Sequence, residues 1–446
     1  MPLPPRRVAS IASTVALTAV LAATGACGAA SPPSVQAGPA DTAPSSSTPA
    51  PATPTTSIVG SPPAGGTTLI LGPARPLTDP PAAPGAPGAG ALNPARPGAN
   101  LYQGITSANP VTAAHRFLVY VPHEADGTTM VIDPTTMSVI DTFRTGAESH
   151  HVVPSWDMST LYVAASRGDL LTPIDPVTGK PGAGIPVEDP YNLYFLPDGS
   201  AAVVVEEGNQ KLTFRDPKTF EHRATLQTTC NGINHLDFSA DGSYLVASCE
   251  FEGTMVKVDL VNRTVVDEIT LDMGMTGKQA RNGHAQPQDV RLSPDGARFF
   301  VADLQGDGVW IIDGATFRVT GFLPTGVGAH GIYPNREGTK FFVINRGTNI
   351  VGGPPRGQGS VTVLDMATEK VETTWPIPGG GSPDMGNLTP DGTQLWLGGR
   401  YDNEVYALDT RTGALVGRVR VGSHPHGLTV WPQPGRYSMG HTGNMR

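Results

Sequence analysis

From about residue 101 onward the sequence alternates short apolar runs with polar turns, and six segments follow one plan. Each segment has an apolar strand, a turn ending near Asp-Gly, a second strand, and a third strand that ends in Asp. The turns are Trp156-Asp157, Pro197-Asp198-Gly199, Ala240-Asp241-Gly242, Pro294-Asp295-Gly296, Arg336-Glu337-Gly338 and Pro390-Asp391-Gly392. The third-strand aspartates are Asp175, Asp216, Asp259, Asp313, Asp365 and Asp409. Turn acid and third-strand Asp are 18 residues apart in five segments, as from Asp157 to Asp175, and an insertion at residues 352–357 lengthens the sixth. Several short strands at a period of about 40 to 50 residues are typical of propeller blades.

The two ends of the repeat region predict how the ring closes. Asp133 is a seventh third-strand Asp whose own first strand is poorly defined upstream, while residues 426–431 form a first strand with no blade after it. We therefore predict an all-β, seven-bladed propeller in which the C-terminal strand completes the first blade and hides both sheet edges. An eighth blade is the alternative if residues 101–114 form a strand. The repeated aspartates are interpreted as turn formers that bind backbone amides two or three residues ahead.

The first residues predict export. Arg6 and Arg7 precede a mostly apolar run over residues 8–26, followed at once by Cys27. A basic start, an apolar stretch and small residues before a cut site make a secretory signal. The Cys after the small residues resembles the lipobox of bacterial lipoproteins, and this resemblance implies that Cys27 carries acyl chains such as palmitate. The alternatives are an ordinary signal peptide or an uncleaved membrane anchor.

Residues 28–100 consist mainly of Ala, Pro, Gly, Ser and Thr, with no aromatic residue and no Lys. Such a segment cannot bury enough apolar area to offset its conformational entropy, and proline keeps it extended. The expected organisation is a lipoprotein signal peptide (1–26), a lipidated Cys with a disordered linker (27–100) and a propeller (101–446). The protein would then sit on the outer face of the cytoplasmic membrane.

Charge excludes one class of partner. The formal net charge is −9 and the pI about 5.6, without the Lys and Arg clusters that a nucleic-acid surface needs. We expect a monomer that meets the membrane through its lipid anchor and a small ligand or a protein at one propeller face.

Candidate site residues follow from the repeat, because first strands line the channel of a propeller. The residues seven before each turn acid, and the matching residue of the last strand, are all polar: His150, Tyr191, Asn234, Gln288, His330, Asp384 and His426. The residues that follow some of them, His151 and His235, and the second-strand ends Arg346 and Arg400 are expected at the same opening. Convergent polar groups in a concavity predict a ligand-binding site.

The same ring suggests a metal site, with His150, His330 and His426 as candidate ligands, because imidazole is a common metal ligand. Mixed Arg, Glu and His would suit a polar or anionic ligand. The alternative is a water-filled channel whose polarity is structural. The longer loop at residues 276–286, with Lys278, Arg281 and His284, opens on the same mouth and is a candidate specificity element.

Cys230 and Cys249 bracket the first two strands of one blade, so both reach the same mouth. In an exported protein such a pair predicts a disulfide. Reactive thiols or a copper site are the alternatives.

The strand–Pro-Asp-Gly–strand–Val-Ile-Asp units resemble the YVTN family of β-propellers over residues 117–431, a family similar in fold to the haem d1 propeller of nitrite reductases. His150 and His151 resemble the strand start at which a histidine of d1-type propellers meets haem iron. The sequence has no Cys-x-x-Cys-His and therefore no covalent c-type haem site. The resemblance leaves a haem d1-like tetrapyrrole open as a cofactor.

We expect a binding propeller that captures a small ligand, a metal ion or a protein partner at the channel mouth. A lactonase-like or tetrapyrrole-handling enzyme that uses the mouth histidines is the second hypothesis. A structural envelope protein is the third.

Overall fold

The computed structural model describes residues 100–102, 105, 108–350, 352–441 and 443–446. The predicted signal peptide, Cys27 and almost all of the predicted linker lie outside the described residues. Within the described part the helices are three short 3-10 turns, at Pro110–Ala114, Ser166–Gly168 and Met273–Thr276. No helix in these ranges is long and apolar enough to span a bilayer.

Seven antiparallel sheets form the blades, numbered here in chain order and each given from its innermost strand outward. Blade 1 contains Thr429–Trp431, Leu118–His123, Thr128–Asp133 and Ser138–Arg144. Blade 2 contains Ser149–Pro154, Leu161–Ala165 and Leu170–Asp175, the last pairing with both Lys180–Pro181 and Ile185–Pro186. Blade 3 contains Asn192–Phe195, Ala202–Glu206, Lys211–Arg215 and His222–Gln227, and blade 4 contains Ile233–Phe238, Tyr244–Cys249, Thr254–Asp259 and Thr264–Thr270. Blade 5 contains Pro287–Leu292, Arg298–Asp303, Gly308–Asp313 and Arg318–Pro324, and blade 6 contains Ala329–Pro334, Lys340–Asn345, Ser360–Asp365 and Lys370–Pro376. Blade 7 contains Pro383–Leu388, Gln394–Gly399, Glu404–Asp409 and Leu415–Arg420.

The predicted closure is confirmed. Thr429–Trp431 is the innermost strand of blade 1 and pairs antiparallel with Leu118–His123, with Leu118 opposite Trp431 and Tyr120 opposite Thr429. The alternative of an eighth blade is wrong, because Pro110–Ala114 is a 3-10 turn capped by the Asn109 side chain rather than a strand. One blade built from both ends of the repeat region leaves no open edge in the ring.

Burial falls from the channel outward. The innermost strands of blades 2 to 7 are buried at every position, whereas outer strands such as Thr264–Thr270 alternate between exposed and half-buried residues. Apolar clusters fill the spaces between neighbouring blades, as where Val119 and Val121 of blade 1 join Trp396 and Val405 of blade 7. This packing fixes the innermost strands, on which the site is built.

The repeated aspartates stabilise turns, as interpreted from the sequence. Asp133 accepts a hydrogen bond from Thr135 N (2.8 Å), Asp216 from Lys218 N (2.9 Å) and Asp313 from Thr316 N (2.7 Å). They lie far from the channel and take no part in the site.

Residues 432–446 run across the end of the channel at which the innermost strands end, opposite the mouth at which these strands begin. There Tyr194 forms an antiparallel bridge with Gly440, Phe195 N donates to Met439 O (3.0 Å) and His441 N donates to Leu193 O (2.9 Å). Gly440 has φ +80°, and a Cβ on it would collide with the Leu193 carbonyl, so only glycine fits there. This segment places one more histidine, His441, in the channel.

Candidate functional site

β-bulges open the innermost strands of blades 2, 4, 5, 6 and 7. In blade 4 the register jumps between Ile233 and Leu236, so that Asn234 and His235 lie opposite the single residue Ser248 at the strand start. Blades 5, 6 and 7 repeat the jump at residues 288–289, 330–331 and 384–385, and blade 2 at His150. A bulge re-aims side chains and interrupts pairing. Five of the seven polar residues predicted from the repeat, all except Tyr191 and His426, therefore lie at these irregular positions, and all seven are buried.

The outermost part of the site surrounds His150. Its Nε2 lies 3.1 Å from Ser166 Oγ and 3.8 Å from a Glu148 oxygen, and its ring is 4.7 Å from the Tyr191 ring, centroid to centroid. The His426 ring stands edge-on to the His150 ring at 5.4 Å, and His426 Nδ1 lies 3.2 Å from the His150 carbonyl oxygen. His150 and His426 thus come together at the mouth.

Asp384 is the charged centre on the opposite side. It is completely buried and binds Arg346 Nε, while Arg400 Nη1 lies 3.2 Å away. His330 Nδ1 and His426 Nε2 lie 3.3 and 3.4 Å from its two oxygens. Burial alone would raise the pKa of Asp384, but the two arginines and His330 outweigh burial and hold that pKa well below its usual range. Asp384 therefore remains a carboxylate and pairs with both arginines.

A second group of histidines lies deeper in the channel. The rings of His151, His235 and His441 are completely buried, with centroid separations of 5.6 Å (151 to 235), 5.2 Å (151 to 441) and 4.9 Å (235 to 441). His151 Nδ1 lies 3.0 Å from the Tyr191 carbonyl oxygen. The Asn192 amide lies 3.2 Å from His235 Nδ1 and 3.0 Å from His441 Nδ1. Residues 191 and 192 of blade 3 thereby hold all three rings through their Nδ1 atoms.

Asn234 and Gln288 belong to a hydrogen-bonded network beside these histidines. Asn234 donates to Glu250 (2.7 Å), Gln286 donates to the other Glu250 oxygen (2.7 Å), and Gln288 donates to the Gln286 carbonyl (3.3 Å). The side-chain amides of Asn234 and Gln288 thus both donate hydrogen bonds to other groups of the protein.

Carboxylates surround the mouth. Burial and the nearby Glu250, Asp189, Glu124 and Glu148 raise the pKa of Glu207 well above its ordinary value. Of the nearby cations, Arg400 is bound to Asp384 and Glu124 (2.5 Å), and the exposed Arg167 pairs with Glu148 (2.9 Å). The mouth is therefore richer in negative groups than in uncommitted positive ones.

The buried imidazoles are held neutral. Burial, with a further contribution from the neighbouring His441, lowers the pKa of His151 and of His235 well below the ordinary value. Burial and Arg346 lower the pKa of His330 to about 3, and burial and Arg400 lower that of His426 strongly. Neutral imidazole is the form that binds metal ions.

The three histidines expected to share a metal are divided between two donor sets. Among the described residues, ligand atoms converge to within 4.8 Å in the set Glu124, His150 and His426 and in the set His330, Asp384 and His426. His426 belongs to both sets, whereas His150 and His330 share none. Each of these sets contains a carboxylate paired with Arg400.

The disulfide prediction is confirmed. Cys230 and Cys249 are bonded, with their Cα atoms 5.2 Å apart and both side chains fully buried. In the loop at residues 276–286, Lys278 pairs with Asp307 and the Arg281 amide donates to Gln305 (3.0 Å), while His284 Nδ1 lies 2.7 Å from the adjacent Ala285 carbonyl.

Sequence reasoning missed His441 and Glu124. His441 follows the last repeat strand, where no other blade offers a position to compare. Glu124 follows Leu118–His123, the second strand of blade 1, whose innermost strand comes from the other end of the repeat region. The repeat does not predict the position of His441, because that position depends on how residues 432–446 fold back into the channel.

No known family model matches the sequence, and no curated protein matches it. Solved structures do resemble its fold. A putative 6-phosphogluconolactonase from Bacteroides uniformis is 15% identical, with 70% of this chain and 98% of that one covered and a TM-score of 0.54. The dihydro-haem d1 dehydrogenase NirN in complex with DHE is 15% identical over 72% and 75% of the chains, with a TM-score of 0.50. The β-propeller domain of Cps50 (Swd1) from Myceliophteria thermophila is 13% identical over 65% and 90%, with a TM-score of 0.52. At these identities the likeness supports the propeller fold and leaves the function to the site.

Proposed function

We propose that this protein is an extracytoplasmic binding propeller that takes a transition-metal ion into its channel. The observation that carries the proposal is a connected set of six imidazoles, in which the centroids of neighbouring rings are 4.9 to 6.0 Å apart. The connected rings are those of His150, His151, His235, His330, His426 and His441. Imidazole nitrogens suit Zn²⁺, Cu²⁺ and Ni²⁺. Burial lowers the pKa values of His151, His235, His330, His426 and His441, so these five rings are neutral and bind without first losing a proton.

The charge of the mouth favours a cation over an anion. Arg346 and Arg400, which the sequence offered as anion ligands, are neutralised by Asp384 and Glu124. The raised pKa of Glu207 reports the crowding of carboxylates around it. A cation would relieve that repulsion, whereas an anion would add to it.

We further propose that Cys27 anchors the propeller to the outer face of the cytoplasmic membrane and that residues 28–100 act as a tether. These residues lie outside the described part of the chain, so the proposal rests on the signal-like start, the Cys position and the Pro-rich composition. A tethered metal-binding domain would hold its ion close to the membrane surface.

Cell fractionation tests the membrane anchor. Cells expressing the chain are fractionated, and the wild type should pellet with membranes while Cys27→Ser stays soluble.

Calorimetry tests the metal proposal. The purified wild type is stripped with a chelator and titrated calorimetrically with Zn²⁺ in two buffers of different ionisation enthalpy. We expect saturable Zn²⁺ binding in the presence of excess Mg²⁺, and the difference in apparent enthalpy between the two buffers gives the number of protons that binding displaces. The double variant Glu207→Gln, Glu250→Gln should bind Zn²⁺ several-fold more slowly, most clearly at low ionic strength.

A wild type that shows no saturable Zn²⁺ binding and is purified free of metal contradicts the metal proposal. A strong visible absorption band in the purified protein would also contradict it and would favour the tetrapyrrole-handling alternative. Equal distribution of wild type and Cys27→Ser between fractions would contradict the anchor.

A further inference from the structure

Three of the six imidazoles form a set of possible metal ligands that consists of histidines alone. The ligand atoms of His151, His235 and His441 all lie within 4.8 Å of one another, and the three side chains are completely inaccessible to solvent. They come from blade 2, blade 4 and the segment 432–446, so that the far end of the described chain completes the set.

The hydrogen bonds of His151 expose a lone pair to this cluster. A carbonyl oxygen can only accept, so the contact of His151 Nδ1 with the Tyr191 carbonyl places the ring proton on Nδ1. Its Nε2 is then an unprotonated acceptor, and it is buried without a hydrogen-bond partner. A histidine that donates one ring N–H to a backbone carbonyl while its other nitrogen faces a cavity has the arrangement found in metal sites.

His235 contributes a second nitrogen without a partner, but with the opposite tautomer. Its Nδ1 accepts from the Asn192 amide nitrogen (3.2 Å), which places the ring proton on Nε2, and this buried Nε2 lacks a hydrogen-bond partner in the structure. Two unsatisfied nitrogens in one cluster are costly, since each buried polar atom without a partner loses its hydration. An ion bound to both would require the His235 proton to move to Nδ1, with the Asn192 amide turning so that its oxygen accepts it.

His441 brings an outer carboxylate to the group. Its Nε2 lies 3.4 Å from an Asp289 oxygen, which accepts the ring proton, so Nδ1 is the nitrogen that would bind an ion in exchange for its contact with the Asn192 amide nitrogen (3.0 Å). Carboxylates behind ligating histidines orient the ring and raise its basicity. Asp289 is itself held by Arg291 (3.4 Å) and by the Ile332 amide (2.9 Å), so its position is fixed.

The surroundings separate this cluster from the two donor sets at the mouth. Both mouth sets include a carboxylate that already pairs with Arg400 and would have to give up that pair to bind an ion. The deeper cluster consists of three uncharged rings, and Arg291 beside it is paired with Asp289. A metal ion would therefore meet less competition for its ligands here than in the mouth sets.

We propose that His151, His235 and His441 bind one transition-metal ion of the Zn²⁺ class, with a fourth position left for water or a small ligand. This inference rests on the proposed function and names its site. Nitrogen ligands of a tetrahedral Zn²⁺ lie roughly 3.3 Å apart, from Zn–N bonds of about 2.0–2.1 Å, so small side-chain rotations bring the three donors into range. Since His441 lies on residues 432–446, metal binding also ties that segment to blades 2 and 4.

The test compares ligand variants with matched controls in the full-length protein. His151→Gln, His235→Gln and His441→Gln each remove one proposed ligand, while His222→Gln and His424→Gln each remove an exposed imidazole outside the connected set. Zn²⁺ affinity is measured by competition with a chromophoric chelator. Each ligand variant should lose more affinity than the roughly 10- to 100-fold typical of an outer-shell change. Both controls should stay within a few-fold of the wild type.

A second measurement guards against variants that fail to fold. X-ray absorption at the zinc edge of the wild-type complex should show a first shell of nitrogen with the outer scattering of about three imidazoles. One imidazole or an oxygen-dominated shell overturns the inference. If the wild type binds Zn²⁺ and the three ligand variants bind it equally well, this site is wrong while the proposed function stands. If the wild type binds no Zn²⁺, both fall.

Discussion

At the scale of single residues, Asp384 decides whether the mouth can contain two buried arginines. It is the acid shared by Arg346 and Arg400, and its surroundings keep it ionised. Removing one partner of a buried ion pair leaves an uncompensated charge and typically costs 3–5 kcal/mol. Asp384→Asn, which keeps the shape and removes the charge, should therefore lower the free energy of unfolding by about 3 kcal/mol.

The matched control is Asp141→Asn, since Asp141 pairs with the largely exposed Lys180 (2.6 Å). Exposed pairs contribute roughly 0–1 kcal/mol, so this variant should unfold almost as the wild type does. Urea unfolding measures both, and a shift of the midpoint without a change of slope identifies a stability effect. If the two variants unfold at the same urea concentration, Asp384 does not have the role assigned to it.

Asp384 also shows what sequence reasoning can achieve for one residue. Its position seven residues before the turn acid of its own blade predicts a place at the channel mouth, because blades 2 to 6 carry their polar residue at the same spacing. Its partners could not be predicted, since Arg346 and Arg400 come from other strands and their reach depends on the width of the channel. The bulge at residues 384–385 depends on backbone geometry that no spacing reveals.

At the scale of structural elements, the disulfide joins the approach to one innermost strand with the end of its neighbour. Cys230 and Cys249 are 19 residues apart in sequence. Closing a loop of about this length in the unfolded chain corresponds to roughly 3 kcal/mol of stabilisation in the chain-entropy account. The double variant Cys230→Ala, Cys249→Ala should be destabilised by about that amount.

Thermal and urea unfolding of the double variant check this expectation, with wild type refolded under reducing conditions as the control. The two should unfold alike, because neither has the cross-link. A double variant as stable as the oxidised wild type would show that the bond does not stabilise blade 4.

Elements differ in how well the sequence predicts them. The closing strand Thr429–Trp431 was predictable, because the repeat left one first strand without a blade and one blade without a first strand. Residues 432–446 follow no repeat, and their path is set by local contacts such as Ser438 N to Trp156 O (3.0 Å). The repeat therefore predicts neither the place of His441 nor the deeper cluster.

At the scale of the whole molecule, the buried imidazoles predict how stability depends on pH. Six histidines that are largely or completely buried have pKa values below the ordinary 6.5, with that of His123 at about 4 and that of His330 at about 3. The six are His123, His151, His235, His330, His426 and His441. In each case burial is the largest cause. The unfolded chain binds protons on these rings near pH 6.5, whereas the folded protein does not.

The sign follows from that difference. Where the unfolded state binds more protons, stability rises with pH, so the contribution of these rings is complete above pH 6.5 and is lost as the pH falls toward their folded values. Each ring contributes a slope approaching 1.4 kcal/mol per pH unit. With six such rings, several kcal/mol of stability would be lost over one or two pH units, a large part of the roughly 5–15 kcal/mol of a typical domain. We therefore expect the metal-free propeller to unfold between pH 6.5 and about 4, before the depressed pKa of Asp384 becomes important.

Urea midpoints of chelator-treated protein at pH 8, 6.5 and 5 measure this dependence. Stability should change little between pH 8 and 7 and then fall steeply. His426→Gln should reduce the slope below pH 6.5 by about one proton, because it removes one ring that only the unfolded state protonates. His222→Gln removes an exposed ring and should keep the wild-type slope. A flat profile down to pH 5 would mean that the channel admits protons and water in the folded state, and that its histidines are not the neutral ligands on which metal binding depends.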